Sequence, residues 1–255
     1  MYKLRAYLEN VFDKVYCINL DKRIDRREKM SFLFNELWIS NLVTRFRAIE
    51  FKPWNVWCAM SHAEILKEAK KLGYKKILVL EDDVEIKDMN LLSASIENYP
   101  CAVNWKLLLL WYSLLYVNWY NETQEVNDYW KIWYGLSWGM AIGYDSEVFD
   151  EIIDFIWNSP TSLKRKMWVW TWFDRWLAIV LQRRHLTLFT KHNLVYEGYT
   201  LSNITYKPVH LYPKMLVKQR ICRCIFNNKV SKFLYQYIYL YLLKIYWIIR
   251  GWHEK

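Results

Sequence analysis

Short apolar runs alternate with stretches of helical spacing along the first half of the chain. VYCINL (Val15 to Leu20) reads as a buried first strand, and the segment after it carries Met30, Leu33, Phe34 and Leu37 at helical spacing. A second strand fits Val43 to Ile49. Ser61 with Glu64 three residues later has the form of a capping box, so a helix is expected to begin there and to stop at Gly73. KILVLEDDVEI, Lys76 to Ile86, is the third strand, and its apolar run ends in Glu81, Asp82 and Asp83. The order β-α-β-α-β with connections of this length predicts a largely parallel sheet. Asn19 to Arg27 and Glu81 to Asp83 then share its carboxyl edge.

Acids at that edge point toward a cation. Sheet ends of α/β folds open into ligand crevices, and a divalent ion held by one or two carboxylates completes its shell with phosphate oxygens. The plainer reading is an acidic turn that ends a strand. On a continuing strand, Glu81 and Asp83 share one face and Asp82 takes the other; a turn starting there breaks that rule. Arg is the natural bidentate partner of phosphate, but Arg23, Arg26 and Arg27 cannot all face one crevice, so one or two are expected there and the rest in solvent.

VYCINLDKRIDRREKM, CAMSH and ILVLEDDVEI, in this order and spacing, resemble the family 25 glycosyltransferases, over about Lys14 to Ile204. That family includes bacterial lipooligosaccharide and lipopolysaccharide galactosyltransferases. Later matches are weaker: NWKLLLLWY (Asn104 to Tyr112), YGLSWGMAIGYD, Asp174 and LVYEGYTLSNI. Lys106 stands where members carry Asp, which leaves the role of its strand open.

The resemblance implies an α/β fold with a GT-A-like nucleotide-sugar-binding domain. It also implies transfer of a hexose, galactose from UDP-galactose, to a sugar hydroxyl, with Mn2+ or Mg2+ bridging the diphosphate to the acidic motif. A metal there stabilises the charge on the leaving phosphate without proton transfer. Asp83 is the first expected ligand, with Glu81 a second ligand or an acceptor behind it, and Asp82 orients the donor. Asn19, Asp21, Arg23 and Arg26 match positions that meet the nucleotide or its phosphates. His62 belongs to the family's Ser-His pair; equally, it reads as a helix-start histidine, and a metal role requires a second His or Cys beside it. An inverting transfer needs a base at the acceptor hydroxyl. Asp174 is the candidate, and it also reads as the N-cap of DRWLAIVLQRR. The rival to an enzyme is a degenerate member of the fold that binds or assembles at a membrane.

Composition adds an anomaly. There are 16 Trp and only 6 Gly in 255 residues, where ordinary usage of roughly 7% gives about 18 glycines. Trp38, Trp54, Trp57 and Trp111 fall at turn-like places where the related sequences carry glycine, for which an indole is a poor substitute. The pattern is the one expected where UGA codons read as glycine in the cell are written as Trp; with genuine tryptophans, the Trp54 to Trp57 loop would either crowd the nucleotide crevice or form an aromatic platform for a sugar.

Charge divides the chain into residues 1–205, the expected catalytic domain, and a basic, aromatic, helical tail at 206–255. The tail holds ten Lys or Arg against Glu254, and so +9 of the total +10. FLYQYIYLYLLKIYWII (Phe233 to Ile249) is too short and interrupted for a membrane span. Beside clustered cations it suits an interfacial helix on an anionic bilayer, where a glycolipid acceptor is found; packing against the core is the alternative. No nucleic-acid module accompanies it. The N-terminus lacks the apolar run of a signal peptide, so a cytoplasmic protein, peripheral on the inner membrane, is expected. The five cysteines are scattered and read as reduced, with Cys17 a packing residue.

Overall fold

A computed structural model describes residues 2–50, 57–86, 88–110, 124–132, 140–157, 173, 177–192, 194 and 196–197. Asp174, Trp54, Trp111, the side chain of Trp57 and the tail 206–255 lie outside the described residues.

Helix α1 (Tyr2–Val11) leads into β1 (Lys14–Asn19), α2 (Ile24–Glu36), β2 (Val43–Arg47), α3 (Trp57–Lys71) and β3 (Lys76–Glu81). β4 (Val84–Glu85), α4 (Met89–Glu97), β5 (Leu107–Leu109), β6 (Gln124–Glu125), β7 (Trp130–Ile132), β8 (Ala141–Asp145), α5 (Phe149–Trp157), β9 (Thr187–Thr190) and β10 (Tyr196–Glu197) follow. The chain is α/β, built on an eight-stranded sheet of order β2-β1-β3-β8-β5-β9-β7-β6, with β10 and β4 forming a separate antiparallel pair. β1 pairs in parallel with both β2 and β3, as the β-α-β-α-β order requires. Beyond β3 the sheet is mixed, because β8 enters antiparallel between β3 and β5.

Period-two alternation explains the layers. Along β1, Tyr16 and Ile18 face one core with Ile65, Leu66 and Ala69 of α3 and Ile152 of α5. Val15 and Cys17 face the other, with Met30 and Phe34 of α2 and Leu92 of α4. β3 divides likewise, Ile77 and Val79 against Leu78 and Leu80. Gly143 in β8 permits the tightest contact: a Cβ there would lie 2.9 Å from Leu108 Cβ.

α3 begins at Trp57, four residues before the expected start, so Ser61 is not its N-cap. The Ser61 hydroxyl instead accepts from the Ile49 N–H at 3.0 Å, tying the segment after β2 to the second turn of α3. The stop at Gly73 is as expected, with φ +76°.

Two helices end in the same hydrogen-bonded cap. After α3, Gly73 N–H donates to Lys70 O (3.1 Å) and Tyr74 N–H to Ala69 O (3.0 Å). After α2, Trp38 N–H donates to Asn35 O (3.0 Å) and Ile39 N–H to Phe34 O (2.9 Å), with Phe34 and Ile39 both buried. Both are Schellman motifs, whose C′ residue is left-handed and is usually glycine. Trp38 fills that place with φ +60°, alone among the described non-glycine residues in having positive φ.

Candidate functional site

Asn19, Arg47 and Glu81 end three parallel strands at one edge of the sheet, and α2 and α3 begin there. β3 leaves the sheet at Glu81, and a turn at Asp82 and Asp83 precedes β4. That turn replaces the expected alternation: Asp82 and Asp83 reach the same cation, and Glu81 points to a different group.

The shared cation is Arg26. It lies one helical turn before Met30 and two before Phe34, on the buried stripe of α2. Its Nη1 is 2.7 Å from Asp82 Oδ1 and 3.0 Å from Asp83 Oδ2. Asn19 Nδ2 donates to Asp82 Oδ2 at 2.7 Å, and Asn19 Oδ1 accepts from Arg45 Nε at 2.9 Å. Arg26, Asn19, Asp82 and Asp83 are all buried. Burial opposes the charge on Arg26, but Asp83 and Asp82 outweigh it and raise its pKa. Burial pushes the Asp83 carboxyl up; Arg26 pulls it back in part, and Asp82 adds to the rise. Two carboxylates thus face one guanidinium, and Asp83 Oδ1 has no hydrogen-bond partner among the described residues. Ionising both carboxyl groups here is costly unless a further cation or donor joins them.

Glu81 belongs to a second cluster. The Cys58 thiol donates to Glu81 Oε1 at 3.4 Å, and one ligand atom each from Cys58, His62 and Glu81 lies within 4.8 Å of the others. Cys58 and His62 are one turn apart on α3. His62 is fully buried, its Nδ1 3.0 Å from the Tyr144 hydroxyl and its ring 5.8 Å from that of Phe173. Burial lowers its pKa to about 4, so the imidazole is neutral near pH 7.

Of the expected site residues, Asn19, Arg26, Asp82 and His62 are at this edge and buried. Asp21 is there too, exposed and paired with Arg45 and Arg47, whose guanidinium groups hold its carboxyl below the usual range. Arg23 pairs with Asp25 at 2.6 Å, and Arg27 is exposed, so one arginine of the three meets the acids. Lys106 is at the opposite edge. β5 runs parallel to β3, and Lys106 precedes its first residue, bound to Asn104 at 3.1 Å and to Glu147. Lys106 therefore lies away from the acidic turn. The expected base, Asp174, lies outside the described residues.

Cys58, Arg45 and Tyr144 were not among the expected site residues. Cys58 had a readable signal: it stands four residues before His62, at helical spacing with Ile65, Leu66 and Ala69. It is the neighbouring cysteine that a metal role for His62 requires. Arg45 and Tyr144 lie on strands whose register alone brings them to the site.

No known family profile and no curated protein matches the chain. Solved structures that share part of the fold include the following two. One is a glycosyltransferase involved in the glycosylation of the major capsid of PBCV-1, with 10% identity and TM-score 0.34 over 61% of this chain and 74% of that one. The other is a mannose-1-phosphate geranyltransferase from Thermus thermophilus, with 8% identity and TM-score 0.37 over 69% of this chain and 58% of that one. The likeness is partial, and the functional reading rests on the site itself.

Proposed function

We propose that the chain is a glycosyltransferase that moves a hexose, galactose from UDP-galactose, to a sugar hydroxyl of a lipopolysaccharide- or lipooligosaccharide-type acceptor. The observation that carries this reading is the buried Asp82–Asp83 pair, two carboxyl groups on the single guanidinium of Arg26, at the edge where ligand crevices of α/β sheets open. Asp83 Oδ1, without a hydrogen-bond partner among the described residues, and the oxygen donors of the pair fit Mn2+ or Mg2+. Such an ion, when bound, would stabilise negative charge on the departing diphosphate.

The chain's own residues then divide the work. Arg26 is a positioning residue, because its guanidinium is engaged by both acids and holds them together. Asn19 fixes Asp82 through Oδ2 and is itself held by Arg45. Asp21 with Arg45 and Arg47 offers the exposed polar groups for the nucleotide. Asp174 is the base: it accepts the acceptor hydroxyl's proton as that oxygen bonds the anomeric carbon and the carbon–oxygen bond to the diphosphate breaks, with inversion. Phe173, its neighbour in the chain, packs on His62 at this edge. The basic tail 206–255 attaches the protein to an anionic membrane on the cytoplasmic face, where the acceptor is lipid-linked. Among the described residues no helix is long and apolar enough to cross a membrane.

Calorimetric titration with UDP-galactose, in Mn2+ and then in excess chelator, tests the donor site. Metal-dependent binding that Asp83→Asn abolishes is expected, with Asp174→Asn retaining binding and losing transfer. Silence from every UDP-sugar on folded protein refutes the assignment.

A further inference from the structure

We infer that Cys58, His62 and Glu81 form a cation site of their own for a borderline-soft divalent ion such as Zn2+, distinct from the Asp82–Asp83 pair. In tetrahedral Zn2+ sites, bonds of about 2.3 Å to sulfur and about 2.0 Å to nitrogen or oxygen leave ligand atoms roughly 3.3–3.6 Å apart. Cys58 Sγ and Glu81 Oε1 already stand 3.4 Å apart, and all three donors lie within 4.8 Å of one another, within reach of a small side-chain rotation. The elements fix this geometry. Cys58 and His62 share a face of α3 at i, i+4, and Glu81 is the last residue of β3, which α3 covers.

The donor chemistry selects the ion. A thiolate and an imidazole favour zinc over Mg2+ or Mn2+, which prefer oxygen ligands. A neutral imidazole is the form of histidine that binds metal. The Tyr144 hydroxyl, 3.0 Å from His62 Nδ1, holds the orientation of the imidazole in this cluster. Three protein ligands leave one position for water or a substrate atom beside the acidic turn. Binding expels the Cys58 proton, so affinity rises with pH.

The test is a Co2+ titration of the reduced, metal-free full chain, read by thiolate-to-cobalt charge-transfer absorption, followed by displacement with Zn2+. One equivalent with a thiolate band is expected. Cys58→Ser should abolish the band, while Cys17→Ser, Cys101→Ser and the Cys222→Ser/Cys224→Ser pair leave it. Glu81→Gln should keep the band and weaken Zn2+ at least about tenfold; it decides the matter if Cys58→Ser does not fold. Absence of the band, its survival in folded Cys58→Ser, or unchanged Zn2+ affinity in Glu81→Gln overturns the site. UDP-galactose binding with Mn2+ is a separate readout, so this inference and the proposed transfer fail independently.

A different observation carries a second inference: we infer that position 38 is glycine in the protein made by its own cell, from a UGA codon. Trp38 occupies the left-handed place of a cap whose twin holds Gly73, with the same two hydrogen bonds. Its indole is half-exposed, and its aromatic partner Tyr2 is more exposed still. Trp105 and Trp130 differ in every respect: they are fully buried, and their indole N–H groups donate to Tyr99 Oη and Ser95 O. Peptide mass spectrometry of the protein from its native cell, with the codon at position 38, tests this. Glycine from UGA is expected; UGG, or tryptophan in the peptide, overturns it.

Discussion

Substitution of Trp38 by glycine and by alanine separates backbone conformation from side-chain contact, because both variants lose the same edge-on contact with Tyr2, 5.1 Å between ring centroids. Holding a residue with a Cβ in the left-handed region costs about 1–2 kcal/mol. Glycine escapes that cost but gives up roughly 0.5–1 kcal/mol more chain entropy on folding. Trp38→Gly should therefore be more stable than Trp38→Ala by about 0.5–1 kcal/mol. At an ordinary right-handed position the order reverses, so the sign carries the information. Gly73→Ala is the mirror experiment: its Cβ would meet nothing within 4 Å, leaving only the backbone cost at φ +76°, and a loss of about 0.5–1 kcal/mol is expected. Urea unfolding reads both, as midpoint shifts of about 0.2–0.5 M at constant slope. An alanine variant at 38 as stable as the glycine variant refutes the left-handed assignment of that residue.

Arg26→Met leaves Asp82 and Asp83 buried without their cation and should cost about 3–5 kcal/mol in urea unfolding; a loss below about 1 kcal/mol would mean that the acids are hydrated. His62, held near pKa about 4 by burial, is protonated first in the unfolded chain, whose pKa is about 6.5. Its contribution is therefore intact above that value and falls as the pH drops toward 4, by up to roughly 3 kcal/mol. Asp83, with its raised pKa, works in the opposite sense, favouring the fold at low pH and losing that contribution as pH rises through its folded value. The comparison is thus between the parent chain and His62→Gln, both in chelator, and a stability difference that does not change with pH refutes the neutral buried imidazole. Gly143→Ala brings a Cβ to within 2.9 Å of Leu108 Cβ on the neighbouring strand and should cost about 1–3 kcal/mol; a neutral thermal melt would show that β5 and β8 can part.

The parallel half of the fold was legible because each of its elements has a long, regular pattern. Val15 to Asn19 and Ile77 to Leu80 are continuous buried runs, and Met30 and Phe34 mark one face of α2, with Leu37 at its C-cap. Parallel pairing followed from the β-α-β-α-β order and its connection lengths, and the shared edge of Asn19, Arg26 and the acids followed from parallel pairing. The antiparallel entry of β8 was not legible. Its five residues are all buried, so alternation gives no orientation, and β6 and β7 span two and three residues, too few for any period to register.

Within the site, position was easier to read than direction. Three acids at a strand end mark an edge, but where each carboxylate points depends on the residue at which the strand becomes a turn, and β-propensity does not set that point. The partners, by contrast, were encoded at helical spacing. Arg26 precedes Met30 and Phe34 by one and two turns, so of the three arginines it is the one whose guanidinium the core draws inward. Cys58 precedes His62 by one turn on the face that carries Leu66 and Ala69. Two helices starting at one sheet edge each send a polar side chain to a different part of the acidic tract, Arg26 of α2 to Asp82 and Asp83, and Cys58 of α3 to Glu81. The division of Glu81 from Asp82 and Asp83 is thus set by which helix covers which face of β3. Asp82 and Asp83 turn toward α2, while Glu81, still in the strand, faces α3.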